Sequence, residues 1–187
     1  MIYAEGGPAF LTDARTTACF TGHRPEKFPF DTSVKLFRDM IASVIYLHIC
    51  DAAAEGYVTF ISGMQRGTDI WAAQEVIKAK KAYPEIKLVC VCPFEGEELK
   101  RSPNDRQEYE EIAALCDSFV ILQREFTRDC YTKRNRFMVD NSSLVIAAAA
   151  DRHSGTWQTV NYARKCGVRV DVIDLERFAE DYGLDRY

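Results

Sequence analysis

No apolar run in the 187-residue chain is long enough for a membrane-spanning helix; the stretch Leu144 to Ala150 falls far short of a bilayer's thickness. Residues Met1 to Asp13 lack a basic segment followed by an apolar core, so no secretory signal is read and a cytoplasmic, membrane-free protein is expected. Positive charge is not in excess: 24 Lys and Arg against 28 Asp and Glu give a net charge of −4. That balance argues against the basic footprint of general nucleic-acid binders and against nucleic acid as a partner, although a local basic patch stays open. Metal-ligand spacing is missing too. Cys90 and Cys92 alternate along a strand and share a face, with no His or Cys nearby to complete a set, so no metal site is expected. The seven cysteines are odd in number and sit in or beside apolar segments. They read as reduced thiols rather than a disulfide framework. Internal repeats and low-complexity linkers are also lacking. At 47% hydrophobic and 28% charged residues, the remainder is an ordinary globular composition with length enough for one sizeable core.

What is present is organised around Val58 to Trp71. A short β-branched and aromatic run, Val58 to Ile61, reads as a buried strand. Ser62 to Asp69 follows with glycines at 63 and 67, and Ile70 to Lys81 has helical spacing. Glycine lets a backbone turn sharply and approach a ligand closely. Free N–H groups at a helix start favour an anion such as phosphate, and Arg66 would add a charge-assisted bond. Two readings stand: an anion site, or a plain strand-to-helix turn capped by Thr68 or Asp69. The pattern recurs along the chain. Strands are expected at Thr16 to Thr21, Lys87 to Cys92, Ser118 to Leu122, Leu144 to Ala149 and Val168 to Ile173. Helices are expected at Thr32 to Glu55, from an Asn104-Asp105 cap to Leu115, and over Tyr131 to Ser142, Gly155 to Lys165 and Glu176 to Tyr187. Residues 1–15 read as an irregular extension, and 16–187 as one domain. Strands alternating with helices, and apolar throughout, predict an α/β fold: a Rossmann-like three-layer sandwich whose mostly parallel sheet has about six strands.

Such sheets bind ligands at the carboxyl ends of their strands, near a topological switch point. That rule collects Thr21, Gly22, His23 and Arg24; Ser62, Gly63, Arg66, Gly67, Thr68 and Asp69; Pro93 and Phe94; and Asp151 to Thr156. Ser154, Gly155 and Thr156 repeat the logic of the first turn, hydroxyls and bare N–H groups at a helix start. The competing reading is an N-cap supplied by Ser154 or Thr156. Arg134, with Asn135 beside it, opens a further helix within a basic cluster that includes Arg128, Lys133 and Arg136. Arg134 and Met138 share one helical side, which lets one cation face the groove while the others stay solvated. No Ser/His/Asp order or paired-carboxylate signal stands out, so binding is indicated more clearly than catalysis. A phosphate would sit between the 63–69 and 154–156 turns, with Arg66 and Arg134 neutralising it.

These residues resemble a known set. Cys19-Phe20-Thr21-Gly22-His23-Arg24-Pro25, Ser62-Gly63-x-x-Arg66-Gly67-x-Asp69, and Arg134-Asn135-Arg136 with Ser154-Gly155-Thr156 together are similar to the SLOG superfamily, and within it to the YpsA-like family. The resemblance runs from about Thr16 to Leu175. It implies a Rossmann-like fold that binds a nucleotide or nucleotide-derived ligand, of the NAD or ADP-ribose type, in sensing or regulation, and it implies self-association as a homodimer. Two related families mark the alternatives. DprA shares the Ser-Gly-x-x-Arg-Gly-x-Asp turn and binds single-stranded DNA. The LOG phosphoribohydrolases share Arg134-x-x-x-Met138 and Gly155-Thr156 and cleave nucleoside monophosphates. Where the LOG motif places its catalytic Glu, this chain has Thr159, which offers no carboxylate for acid–base work. No catalytic residue is assigned.

Overall fold

The computed structural model describes residues 2–3, 13–150 and 152–184 of the chain. Six apolar runs form strands: β2 (Thr17–Gly22), β3 (Thr59–Ser62), β4 (Lys87–Cys92), β5 (Ser118–Ile121), β6 (Leu144–Ala149) and β7 (Arg169–Asp174). A two-residue strand, β1 (Ile2–Tyr3), pairs with the outer edge of β5. The segment expected to be irregular therefore contributes a short edge strand. Residues 1 and 4–12 lie outside the described residues, and a 3-10 turn at Ala14–Thr16 leads into β2. The sheet order is β1-β5-β4-β3-β2-β6-β7, and every pair is parallel.

Successive side chains on a strand face opposite ways, and here both faces are apolar. Ala18, Phe20, Phe60, Leu88, Cys90 and Ile146 share one core with α1 (Lys35–Ala54), α2 (Thr68–Ala79), α3 (Pro103–Leu115) and α6 (Leu175–Tyr182). Cys19, Ile61, Val89, Val91, Val145 and Ala147 share the other with α4 (Cys130–Asp140) and α5 (Gly155–Lys165). Strands covered on both sides need no polar alternation, which is why they read as continuous apolar runs. Two helix starts differ from expectation. α1 begins at Lys35 rather than Thr32, because Asp31 Oδ1 accepts from Ser33 N at 2.8 Å and holds a turn there. α3 is capped by Ser102, whose Oγ accepts from Asp105 N, with Pro103 in the first helical position. The loop after β2 is pinned by its aromatics: Phe28 packs on Trp71 of α2 at 5.2 Å, and Phe30 on Phe178 of α6 at 5.6 Å.

Candidate functional site

Chain order reverses at β2. β3, β4 and β5 follow on one side, whereas β6 and β7 lie on the other. Connections leaving the carboxyl ends of β2 and β6 diverge, and such a point leaves a crevice. A groove of about 600 Å³ opens there, between the β2 loop, α4 and the start of α5. That volume is in the usual range for a small-molecule site.

The turn after β3 forms one wall, and its polar groups are met from within the protein. Ser62 Oγ donates to the Asp69 carbonyl at 2.8 Å and accepts from Met64 N at 3.1 Å. Arg134 reaches in from α4: Nη1 donates to the Gly63 carbonyl and, at 3.2 Å, to Asp69 Oδ2. Gln65 N also donates to that carboxylate, at 3.3 Å. A Cβ on Gly63 would stand 1.5 Å from Arg134 Nη1, so only glycine leaves room for the guanidinium. The Arg134 and Asp69 side chains are 5% and 8% exposed. Burial pushes the Asp69 carboxyl above the usual carboxylate range, against the pull of Arg134. The helix cap is Gly67, at φ 85° and ψ −126°, rather than Thr68 or Asp69. Thr68 instead sends both its N–H and its hydroxyl to the His23 carbonyl, at 3.2 and 3.1 Å.

The turn after β6 is open. Ser154 caps α5, its Oγ accepting from Trp157 N at 3.3 Å. The N–H groups of Gly155 and Thr156 find no partner among the described residues, and a Cβ on Gly155 would meet nothing within 4 Å. His23 sets the position of this turn. Its Nε2 accepts from Ala150 N at 3.0 Å. In the neutral ring the proton is therefore on Nδ1, which donates to Thr156 Oγ1 at 3.1 Å. The Thr156 hydroxyl proton stays available to an acceptor in the groove. Thr159, one turn on, accepts from Asn135 Nδ2 at 3.0 Å and donates to the Gly155 carbonyl at 3.2 Å.

Of the residues expected at the rim, Thr21, Gly22, His23, Arg24, Asp69, Arg134, Asn135, Ser154, Gly155 and Thr156 line the groove. Ser62, Gly63, Gly67 and Thr68 are buried behind it, building the wall rather than facing the space. Arg66 points elsewhere: it pairs with Glu26 at 3.2 Å and Asp105 at 3.8 Å. Pro93 and Phe94 stand apart, with Phe94 packed edge-on to Phe126 at 5.4 Å and Tyr131 at 6.3 Å. Asp151 lies outside the described residues. Lining residues outside the segments placed on the rim include Lys27, Tyr131, Gln158 and Tyr162, while Gln65 and His153 fall within two of those segments. Tyr131 and Thr159 had a signal, since they fall one helical turn from Asn135 and Thr156. The lining carries Arg24, Lys27, Arg134 and Arg136 against Glu26 and Asp69, a local positive excess on an acidic chain. Among the described residues, no three His, Cys, Asp or Glu side chains converge as a metal site.

The sequence pattern of YpsA, the YspA SLOG family, matches residues 18–175. The chain belongs to this family. It is 28% identical over 123 residues to the SPbeta prophage-derived protein YoqJ of Bacillus subtilis, covering 59% of this chain and 72% of that one. It is 25% identical over 137 residues to a UPF0398 protein of Brevibacillus brevis, covering 68% and 72%. Two solved DprA structures share the Rossmann-like fold. DprA of Helicobacter pylori superposes with TM-score 0.56 at 20% identity, over 96% of this chain and 78% of that one. DprA of Streptococcus pneumoniae gives 0.59 at 17%, over 92% and 58%. These structures correct one expectation. The acidic balance of this YpsA-family chain argued against a nucleic-acid partner, yet the H. pylori protein with this fold has a single-stranded DNA binding mode. Whole-chain charge is the wrong scale, because a groove's local charge decides what enters it. No helix among the described residues is long and apolar enough to cross a membrane.

Proposed function

We propose that this YpsA-family chain binds the phosphate of a nucleotide or nucleotide-derived ligand at the start of α5. The observation that carries this reading is a pair of N–H groups, Gly155 and Thr156, that find no partner among the described residues and belong to residues lining a groove at the switch point. The dipole of α5 adds to them. Arg24 and Arg136 on the rim supply screening charge, while Tyr131, Gln158 and Tyr162 offer ring faces and amide groups to a base or ribose. Thr159 holds Asn135 and the first turn of α5, a structural task that leaves no acid–base group at that position. This favours binding, in a sensing or regulatory role, over N-glycosidic hydrolysis. The test is a thermal-shift titration with AMP, ADP-ribose and NAD. A saturating ligand raises Tm by roughly 5–10 °C, and Gly155→Asp, which sets a carboxylate in the anion's place, abolishes the shift. Absence of a shift with every nucleotide overturns the reading.

A second reading is a single-stranded DNA ligand whose backbone phosphate uses the same site. The specific support is the cationic rim of Arg24, Lys27 and Arg136 on a fold shared with DprA. It requires binding of oligo-dT that weakens steeply with salt. A flat polarisation titration at low salt removes it.

A further inference from the structure

A second cleft of about 410 Å³ lies beside the main groove, and the two share Arg24, Gln65 and Tyr131. Its cations are Arg24, Arg66, Lys100 and Arg101, and its acids Glu97 and Asp105. Half of the cations are already committed. Arg101 grips Glu97 through Nε and Nη2 at 3.0 and 2.7 Å, and also holds the Met64 carbonyl. Arg66 is shared between Glu26 and Asp105. Arg24 and Lys100 are exposed and make no ion pair with any described residue.

An aromatic pair adjoins the cleft through one of its lining residues, Lys100. Phe126, in the loop between β5 and α4, is 52% exposed. It stands edge-on to buried Phe94, and Lys100 Nζ lies 3.9 Å from its ring centroid and 4.6 Å from that of Phe94. A lone exposed phenylalanine needs no explanation. One that is braced by a buried ring and touched by Lys100, a cation of a cleft that adjoins the main groove and also carries Arg24, has the components of a single-strand platform: positive charge for the backbone and a π-face for a base.

We propose that this cleft takes the next nucleotide of a single-stranded nucleic acid. Its phosphate bridges Arg24 and Lys100, and its base stacks on Phe126. Lys100 exchanges its contact with the ring for the phosphate oxygens, which clears that face for the base. The proposal rests on the groove being a nucleotide site, and the experiment separates the two.

Binding of 5′-TMP, pTpT and pUpU is measured by calorimetry for the wild type, Lys100→Ala and Phe126→Ala, after each variant's Tm is shown to match. The expected result is pTpT binding roughly tenfold tighter than TMP in the wild type, the scale of one stacked base. Each variant loses most of that gain and leaves TMP affinity unchanged. Lys100→Ala also lowers the salt slope of pTpT binding by about one phosphate contact. The same gain with pUpU supports the subsite for RNA as well. Equal affinity for TMP and pTpT, or variants that weaken both ligands alike, overturns the subsite while the groove reading survives. Failure of all three ligands to bind overturns the subsite and the single-stranded DNA reading, while the groove as a nucleotide site falls only if AMP, ADP-ribose and NAD also give no thermal shift.

Discussion

Two turns in this molecule follow one recipe, a buried strand, a glycine and a helix start, and they come to opposite ends. At the turn from β3 into α2, the space that Gly63 leaves is filled by the protein's own Arg134, and the carboxylate it meets is the protein's own Asp69. At the turn from β6 into α5, no described residue fills the space beside Gly155, and two N–H groups have no partner among the described residues. The difference shows what a glycine turn encodes. It makes room at a helix start; whether that room receives an internal side chain or an external anion is decided by a residue from another helix. On the proposed reading, it is the second turn that recruits the ligand.

Four substitutions bear on that contrast. The largest effect is expected for Arg134→Ala, which leaves Asp69 buried without its cation and the Gly63 carbonyl without a donor. The cost is roughly 3–5 kcal/mol, the scale for breaking a buried pair from one side, read from urea unfolding. A loss below about 1 kcal/mol would mean that the first turn is not held by this pair. Next comes a matched pair of glycine changes. Gly63→Ala drives a methyl into Arg134 and costs about 1–3 kcal/mol or more. Gly155→Ala faces open space in the first turn of a helix, so stability holds or rises by up to about 1 kcal/mol, while nucleotide affinity drops. Similar stability losses at both sites would erase the distinction between a filled and an open turn. Ser154→Ala removes the α5 cap for about 1 kcal/mol, and a null result would place the cap elsewhere.

The smallest effect is in pH. Asp69 has its carboxyl raised by burial, so the folded state holds that proton more tightly than the unfolded chain does. Its contribution to stability therefore falls as pH climbs from the unfolded value, about 4, through the raised folded value, and is level above it. Asp69→Asn lacks this decline, so the stability of the variant minus that of the wild type rises with pH across the window. The exposed carboxylates of Asp13, Asp31 and Asp129 are held low by hydrogen bonds from Arg15, Ser33 and Thr127 respectively. They act with the opposite sign but equally in both proteins, and drop out of the difference. A difference independent of pH would show that Asp69 titrates alike in the folded and unfolded states, and one that falls with pH would show a carboxylate held ionised by Arg134.

The architecture was legible because burial on both faces writes itself as uninterrupted apolar runs, and six of these became six strands. β1 escaped because two residues carry no periodicity. Ser102 was passed over in favour of Asn104 and Asp105, although Pro103 after it was the better sign of a helix start. At the site, local signals served well: His23, Ser154, Gly155 and Thr156 each stand at a strand end or helix start and line the groove. The arginines were harder. Arg66 lies beside the glycines in sequence, but the acids that take it come from distant elements, Glu26 from the 3-10 turn after β2 and Asp105 from the first turn of α3. The direction of a long side chain is settled by partners that local pattern does not name. Phe94 was placed at the rim by the rule for strand ends, yet it sits at the end of β4, away from the switch point, where the strand order opens no crevice.

An all-parallel sheet has one more consequence here. Without hairpins, β2 meets β6 only by bringing residues 19 and 145 together across the intervening strands and helices. The groove is a seam between early and late chain, where the β2–β6 ladder continues into His23, whose ring reaches Ala150 and Thr156 and whose backbone carbonyl receives Thr68. A molecule seated in that seam acts as a fastener on the whole topology. Its presence should register as slowed amide exchange along β2 and β6 together, far beyond the residues it touches.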